Sequence, residues 1–226
     1  MITTLRTVLT GTFAAALVAG CGSSVVLDPP TIPEPLINKI PMSVAVRMPD
    51  NFEHFVHEEE VLGREQWKID LGRSNSVFFH QLLTYMFDNV AIVGENEDPA
   101  TLQFDALIEP SIDAFEFSVP NQTKTEAFAV WIRYRIKVFD PDGKLVVNWP
   151  LSAYGKSQTT KMGGSEALQR AAILAMRDAA ALMILKFNAR TFAGAFSDTA
   201  RESTQEGEQP GEPTAKATLA VGDSHD

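Results

Sequence analysis

Between Phe128 and Leu151 the chain reads FAVWIRYRIKVFDPDGKLVVNWPL, and this stretch decides the fold. From Phe128 the even positions Val130, Ile132, Tyr134, Ile136 and Val138 are apolar, while Arg133, Arg135 and Lys137 hold odd ones. Successive side chains of a strand point to opposite faces, so this is a strand with one buried and one wet face. Asp140-Pro141-Asp142-Gly143 is a strong turn signal, and beyond it Leu145, Val147, Trp149 and Leu151 alternate again. The two halves form a hairpin whose register is constrained, because a slip of one residue would put the apolar set on the wrong face. Pairing Phe139 with Lys144 sets Val138 opposite Leu145, Ile136 opposite Val147, Tyr134 opposite Trp149 and Ile132 opposite Leu151. A three-residue loop with Gly143 in a bulge would turn Arg135 to the side of Val147, so the unbulged pairing is the expectation.

Working outward, Met42, Val44, Val46 and Met48 alternate with Ser43, Ala45 and Arg47 as a strand that Pro49 ends. Asn51 to Gly63 is charged and irregular. Trp67, Ile69 and Leu71 then mark a second short strand. Ser74 or Asn75 can cap the next element, a helix in which Phe78, Phe79, Leu82, Leu83, Met86, Phe87 and Val90 recur at helical spacing. Leu102, Phe104, Ala106 and Ile108 alternate, Pro110 interrupts, and Phe115, Phe117 and Val119 resume. A proline there implies a bulge or bend, since it cannot donate to the ladder. After the hairpin, Gly163-Gly164-Ser165 leads into EALQRAAILAMRDAAALMILKF, an Ala-rich helix with Ser165 as cap and Glu166 in its first turn. Arg177 and Asp178 cut its apolar run, so it packs on a sheet and does not span a membrane. The order describes an α+β fold: an antiparallel sheet of four to five strands with two helices packed on one face.

The composition is that of an ordinary globular chain, with 226 residues, 45% hydrophobic and 21% charged. A net charge of −10, from 29 acids against 19 bases, argues against a binder of phosphate backbones, so nucleic acid is not an expected partner. One cysteine excludes an intrachain disulfide and a multi-thiolate metal site.

Residues 1–20 carry one positive charge, Arg6, and an uncharged apolar run from about Val8 to Ala19 that is too short to span a bilayer; they read as a signal peptide. The run ends in Val18-Ala19-Gly20-Cys21, which resembles the lipobox of bacterial lipoproteins. That resemblance implies cleavage before Cys21, a thioether-linked diacylglycerol on its sulfur and an acyl chain on its new amino group. Several chains make a stable anchor where one is marginal. Gly22 and Ser23 follow, not the Asp that retains many lipoproteins at the inner membrane, so the resemblance favours the outer membrane, facing the periplasm. Between Pro29 and Pro41 fall five of the thirteen prolines, and residues 21–41 read as a lipidated, semi-rigid tether. At about 3.1 Å per residue, Gly22 to Ile40 would reach up to roughly 60 Å from the lipid. Residues 197–226 hold no aromatic residue and seven acids against two bases, which reads as a disordered acidic tail. The periplasmic domain is then 42–196.

Few residues suggest chemistry. His54 and His57, followed by Glu58, Glu59 and Glu60, offer imidazoles at i and i+3 that could serve a metal on a helix, yet the spacing misses the His-Glu-x-x-His arrangement, and a solvated loop is the simpler reading. Tyr154-Gly155-Lys156-Ser157 lacks the upstream glycine of a phosphate-binding loop, with Pro150 in its place. No serine lies in a Gly-x-Ser-x-Gly elbow. No catalytic residue, cofactor or metal site is expected. Trp131, Arg133 and Arg135 share the wet face of the long strand, and Trp and Arg are the side chains that most often anchor interfaces.

In architecture the chain resembles several families of small envelope lipoproteins: auxiliary lipoproteins of lipid-transporting ABC systems, lipopolysaccharide-assembly lipoproteins and outer-membrane activators of peptidoglycan synthases. It most resembles an uncharacterised proteobacterial lipoprotein family whose pattern includes the Trp131-Ile132-Arg133-Tyr134 strand and the Asp140-Pro141-Asp142-Gly143 turn. The resemblance brings no activity and no functional residue with it. The expectation is a non-enzymatic accessory or scaffold subunit of an envelope complex, anchored through Cys21 and binding an envelope protein through Trp131, Arg133 and Arg135. A periplasmic ligand- or metal-binding lipoprotein is the alternative.

Overall fold

The computed structural model describes residues 22–63, 65–97, 101, 103–122, 126–158, 163–187 and 194. Residues 1–20, read as a signal peptide, Cys21, and residues 197–226, read as an acidic tail, lie outside the described residues. In chain order the elements are β1 (Gly22–Val26), β2 (Ile40–Arg47), α1 (Asp50–Glu53), β3 (Val56–Val61), β4 (Glu65–Asp70), α2 (Gly72–Met86), β5 (Phe87–Val93), β6 (Ala106–Ser118), β7 (Ala127–Phe139), β8 (Leu145–Gln158) and α3 (Gly164–Lys186).

The α+β class holds, but the sheet is not purely antiparallel and there are two of them. A five-stranded sheet has the order β5-β2-β6-β7-β8, with β2 parallel to both β5 and β6 and the rest antiparallel. A three-stranded sheet has the order β1-β4-β3. The two long helices cover one face of the large sheet, as expected, and α1 is a short third helix.

The even residues of β7 are all buried, and they meet α2, α3 and the small sheet in one core. Phe79 of α2 stands edge-on to Tyr134 at 5.3 Å, and Trp67 of β4 packs on Phe117 and Phe128. Helix α3 lies directly on β8. A Cβ at Gly155 would overlap the Ala171 carbonyl and the Ala175 amide, so glycine and the alanine-rich helix face require each other. The two charges that interrupt α3 clamp it: Arg177 donates to the Thr31 carbonyl, and Asp178 accepts the amide of Tyr154 at the edge of β8. Among the described residues no helix is long and apolar enough to cross a membrane.

The hairpin keeps its faces but not its pairs. Gly143 adopts a positive φ of 79° and donates to the Asp140 carbonyl, while Lys144 N donates to Asp140 Oδ1, so the bulged loop forms after all. A second register shift, between Val138 and Phe139, follows at once and restores the parity. Val138 therefore faces Val147, Ile136 faces Trp149, Tyr134 faces Leu151 and Ile132 faces Ala153. Each bulge adds one residue, and two together leave the apolar set buried. Pro110 sits within β6 opposite Ile136, beyond the part of β6 that β2 pairs, so its missing donor breaks no ladder there; the bulge falls at Asp113 instead.

Other expectations fail for identifiable reasons. Ser74 and Asn75 do not cap α2, which starts at Gly72 with Leu71 as N-cap and the Gly72 amide bonded to Asp70 Oδ1. Both are turned into the core, where Ser74 Oγ donates to the Leu27 carbonyl and Asn75 receives the Tyr134 hydroxyl. Ser165 does not cap α3 either; Gly163 holds that position. Phe87 and Val90 are not helical: α2 stops at Met86 and the chain continues as β5, alongside β2.

The segment read as a tether is part of the domain. β1 pairs parallel to β4, Leu27 and Ile32 are buried, and Gln169 and Arg177 of α3 bond Asp28 and Thr31. Its prolines keep the backbone extended along the helix, where a continued strand would need donors that proline lacks. The first described strand therefore starts at Gly22, the residue next to Cys21 in the sequence.

Candidate functional site: the open face of the large sheet

The odd residues of β7 point away from both helices. On this face Phe139, Lys137, Arg135, Arg133 and Trp131 stand beside Leu145, Asn148, Pro150, Ser152 and Tyr154 of β8 and, on β6, Leu107, Glu109, Ser111, Ala114 and Glu116. Near the β2 end it closes on itself. Ala45, Val93 and Leu107 form a small second core with Phe104 and Phe139. Glu109 lies between Arg47 at 3.7 Å and Lys137 at 3.6 Å, and the Arg47 guanidinium also donates to the Glu97 carbonyl.

Arg135 is likewise satisfied within the chain. Its Nε donates to Asp113 Oδ1 at 3.0 Å, its Nη2 to Asp113 Oδ2, and its Nη1 to Asn148 Oδ1 at 3.0 Å. The bulge at Asp113 places this carboxylate over the strand, and its hydrogen bonds raise the Arg135 pKa above its ordinary value. A guanidinium with a bidentate carboxylate already in place has little left to offer a partner. Arg135 thus takes part in the sheet's own bracing through Asp113 and Asn148.

The other half of the face is different. The Trp131 and Tyr154 rings stand 5.0 Å apart on neighbouring strands, tilted by 46°, and are 44% and 42% exposed. Arg133 is exposed and makes no hydrogen bond or ion pair among the described residues. Glu116 is paired in register with Trp131, and Ser152 with Arg133. Together Glu116, Trp131, Arg133 and Ser152, with Ala114 and Ala153, line a shallow cavity of about 260 Å³. An aromatic pair with a free guanidinium, a carboxylate and a hydroxyl can stack on a flat group and hydrogen-bond either sign of charge. No nucleophile–base pair accompanies it.

Of the residues singled out beforehand, Trp131 and Arg133 are therefore brought together and Arg135 is separated from them by its own salt bridge. Tyr154, Glu116 and Ser152 were missed. Period-2 alternation continues past Leu151 through Ser152, Tyr154 and Lys156 against buried Ala153, Gly155 and Ser157, and would have found Tyr154.

The histidines do not form a site. His54 follows α1 and lies against Asp50, whereas His57 sits on β3, 3.0 Å from Glu59 Oε2 and packed on Phe115 and Phe117. The expected loop is in fact a strand whose inward positions are His57, Glu59 and Val61. Its outward Glu58 pairs with Lys68, which lowers the Glu58 pKa and raises that of Lys68. No group of three or more His, Cys, Asp or Glu among the described residues is placed to hold a metal.

No family model matches the chain, and no curated protein matches it. Solved structures do. A Xanthomonas campestris protein of the DUF330 family aligns over 81% of this chain and 99% of its own, at 12% identity and a TM-score of 0.45. A hypothetical protein from Chlamydia trachomatis aligns over 64% and 95% at 11% identity and a TM-score of 0.41. The Neisseria meningitidis lipoprotein GNA1162 aligns over 57% and 90% at 14% identity and a TM-score of 0.29.

Proposed function

We propose that this chain is a lipid-anchored envelope protein of the outer membrane, without enzymatic activity, that serves as an accessory subunit by holding a protein partner on the open face of its large sheet. The observation that carries the reading is the division of that face. Arg47 and Lys137 are paired with Glu109 and Arg135 with Asp113, while Arg133 beside the Trp131–Tyr154 pair has no ion pair among the described residues. Interface anchors of this type sit in such half-exposed aromatic patches, and a free guanidinium suits a carboxylate-bearing partner. The anchor rests on Val18-Ala19-Gly20-Cys21, in which the single cysteine follows small residues at the end of an apolar leader.

Two arms test it. Cys21→Ser should abolish labelling by a fatty-acid probe and release the protein from membranes; a variant that stays labelled contradicts the anchor. Trp131→Ala with Arg133→Glu should leave the fold intact and lose the partners captured by the parent protein, since exposed substitutions move stability by only about 0.5 kcal/mol. An unchanged set of captured partners contradicts the docking face.

A further inference from the structure

The half of the open face that holds Trp131 carries a second cation. Lys156 of β8 is exposed on the same side as Ser152 and Tyr154 and, like Arg133, makes no hydrogen bond or ion pair among the described residues. The register fixes where the two cations stand: Ala129 pairs with Lys156, Trp131 with Tyr154 and Arg133 with Ser152. Same-face residues of a strand are about 6.8 Å apart, so Lys156 lies one step beyond the aromatic pair on β8 and Arg133 one step before it on β7. The two positions are therefore about 14 Å apart along the strands, with the Trp131–Tyr154 pair midway. In a chain with a net charge of −10, this strip has the opposite sign.

The strip is narrow, and its borders say what shape fits it. On one side Glu116 of β6 pairs in register with Trp131, so a carboxylate displaced by one strand meets a like charge. On the other side β8 is the edge of the sheet. Strand addition at that edge is opposed, because Pro150 has no donor and the Tyr154 amide is already taken by Asp178. A helix, about 10–12 Å across with its side chains, would spread over Glu116 as well. An extended segment is one strand wide, and its side chains at i, i+2 and i+4 share one face at the same spacing of about 6.8 Å as the strip.

We infer that the partner lays an extended segment along β7 and β8, with acidic residues at i and i+4 and an aromatic residue at i+2. The two acids meet Lys156 and Arg133, and the middle ring lies on the Trp131–Tyr154 pair. This rests on the docking reading above and adds what the partner's segment must carry. Glu116 holds the segment to its line by repelling an acid that strays towards β6.

The test uses the purified full-length chain and a fluorescein-labelled peptide, Thr-Glu-Thr-Phe-Thr-Glu-Thr, followed by anisotropy. Beside it runs Thr-Glu-Glu-Phe-Thr-Thr-Thr, which has the same composition and a broken spacing. The first should bind and the second should bind more weakly. Lys156→Ala and Arg133→Ala should each weaken the first by about two- to fivefold, as for exposed ion pairs, and Trp131→Ala by about tenfold or more. Equal binding of the two peptides, or binding unchanged by Lys156→Ala, overturns the inference. So does failure of the first peptide to bind, including the case in which phosphatidylglycerol vesicles bind instead through Lys156 and Arg133 and mark the strip as a membrane contact. The docking reading fails separately, when Trp131→Ala with Arg133→Glu leaves the captured partners unchanged; loss of those partners with no preference between the peptides leaves the docking face standing and overturns the acidic segment alone.

Discussion

The hydroxyl of Tyr134, fully buried in the middle of β7, donates a 2.8 Å hydrogen bond to Asn75 Oδ1 on α2. This bond ties the helix layer to the strand that carries the open face on its other side. The Asn75 Nδ2 has no partner among the described residues, so the pair is already only half satisfied. Tyr134→Phe should cost about 1–3 kcal/mol by leaving a buried acceptor unmade, read as a lower urea midpoint at unchanged slope. Adding Asn75→Leu should recover part of that loss, because replacing both partners by apolar groups removes the unmet polarity.

The same burial sets a pH dependence. Loss of water pushes the Tyr134 pKa well above its ordinary value of 10.0. The native state therefore keeps a proton that the unfolded chain releases, so stability is full below about pH 10 and declines as pH rises beyond it. The parent protein should lose stability more steeply between about pH 10 and 11.5 than Tyr134→Phe does in parallel denaturation curves.

Glycines at two positions should respond differently. Gly155→Ala forces a methyl into the α3 backbone and should cost about 1–3 kcal/mol with a clear fall in Tm. Gly143→Ala meets open space and should cost only the strain of a positive φ, about 1 kcal/mol. Thermal unfolding of both variants side by side checks the order.

Docking of the Pro-rich segment is testable in the same way. Leu27→Ala should destabilise by about 2–4 kcal/mol, as for a leucine in a packed core. A spacer outside the fold would show no change. Arg177→Ala should have a smaller effect, since Arg177 is exposed and the hydrogen bond it loses among the described residues is the one to the Thr31 carbonyl.

Alternation was the legible signal. The faces of β4 and β7 follow from it, because a strand with one dry side must alternate; in β2 and the start of β6 it gave the main-core face alone, since Ala45 and Leu107 on the other face are buried in the second core, where Phe104 also packs. The pairing of β7 with β8 was not legible: one bulge was argued against because it would invert the faces, and two bulges in succession escape that argument. β3 was hidden because its inward positions include His57 and Glu59, and β5 because Phe87 and Val90 extend the helical spacing of α2. Proline content said that residues 29–41 are extended; it did not say whether they lie in water or on a helix. At the open face Trp131 and Arg133 were readable from parity alone. The pairing of Arg135 with Asp113 was not, since Asp113 sits at a bulge in β6.

The central claim, that the Trp131–Tyr154–Arg133 patch receives a protein partner, is tested most directly by photo-crosslinking in living cells. A benzophenone amino acid is placed at Ser152, which lines the patch, and separately at Leu185, an exposed residue on α3. Position 152 should yield discrete adducts identified by mass spectrometry as an envelope protein, lost when Trp131→Ala and Arg133→Glu are added, while position 185 yields none of them. Adducts at 185 and not at 152, or adducts at 152 that survive the double substitution in a folded protein, would contradict the account.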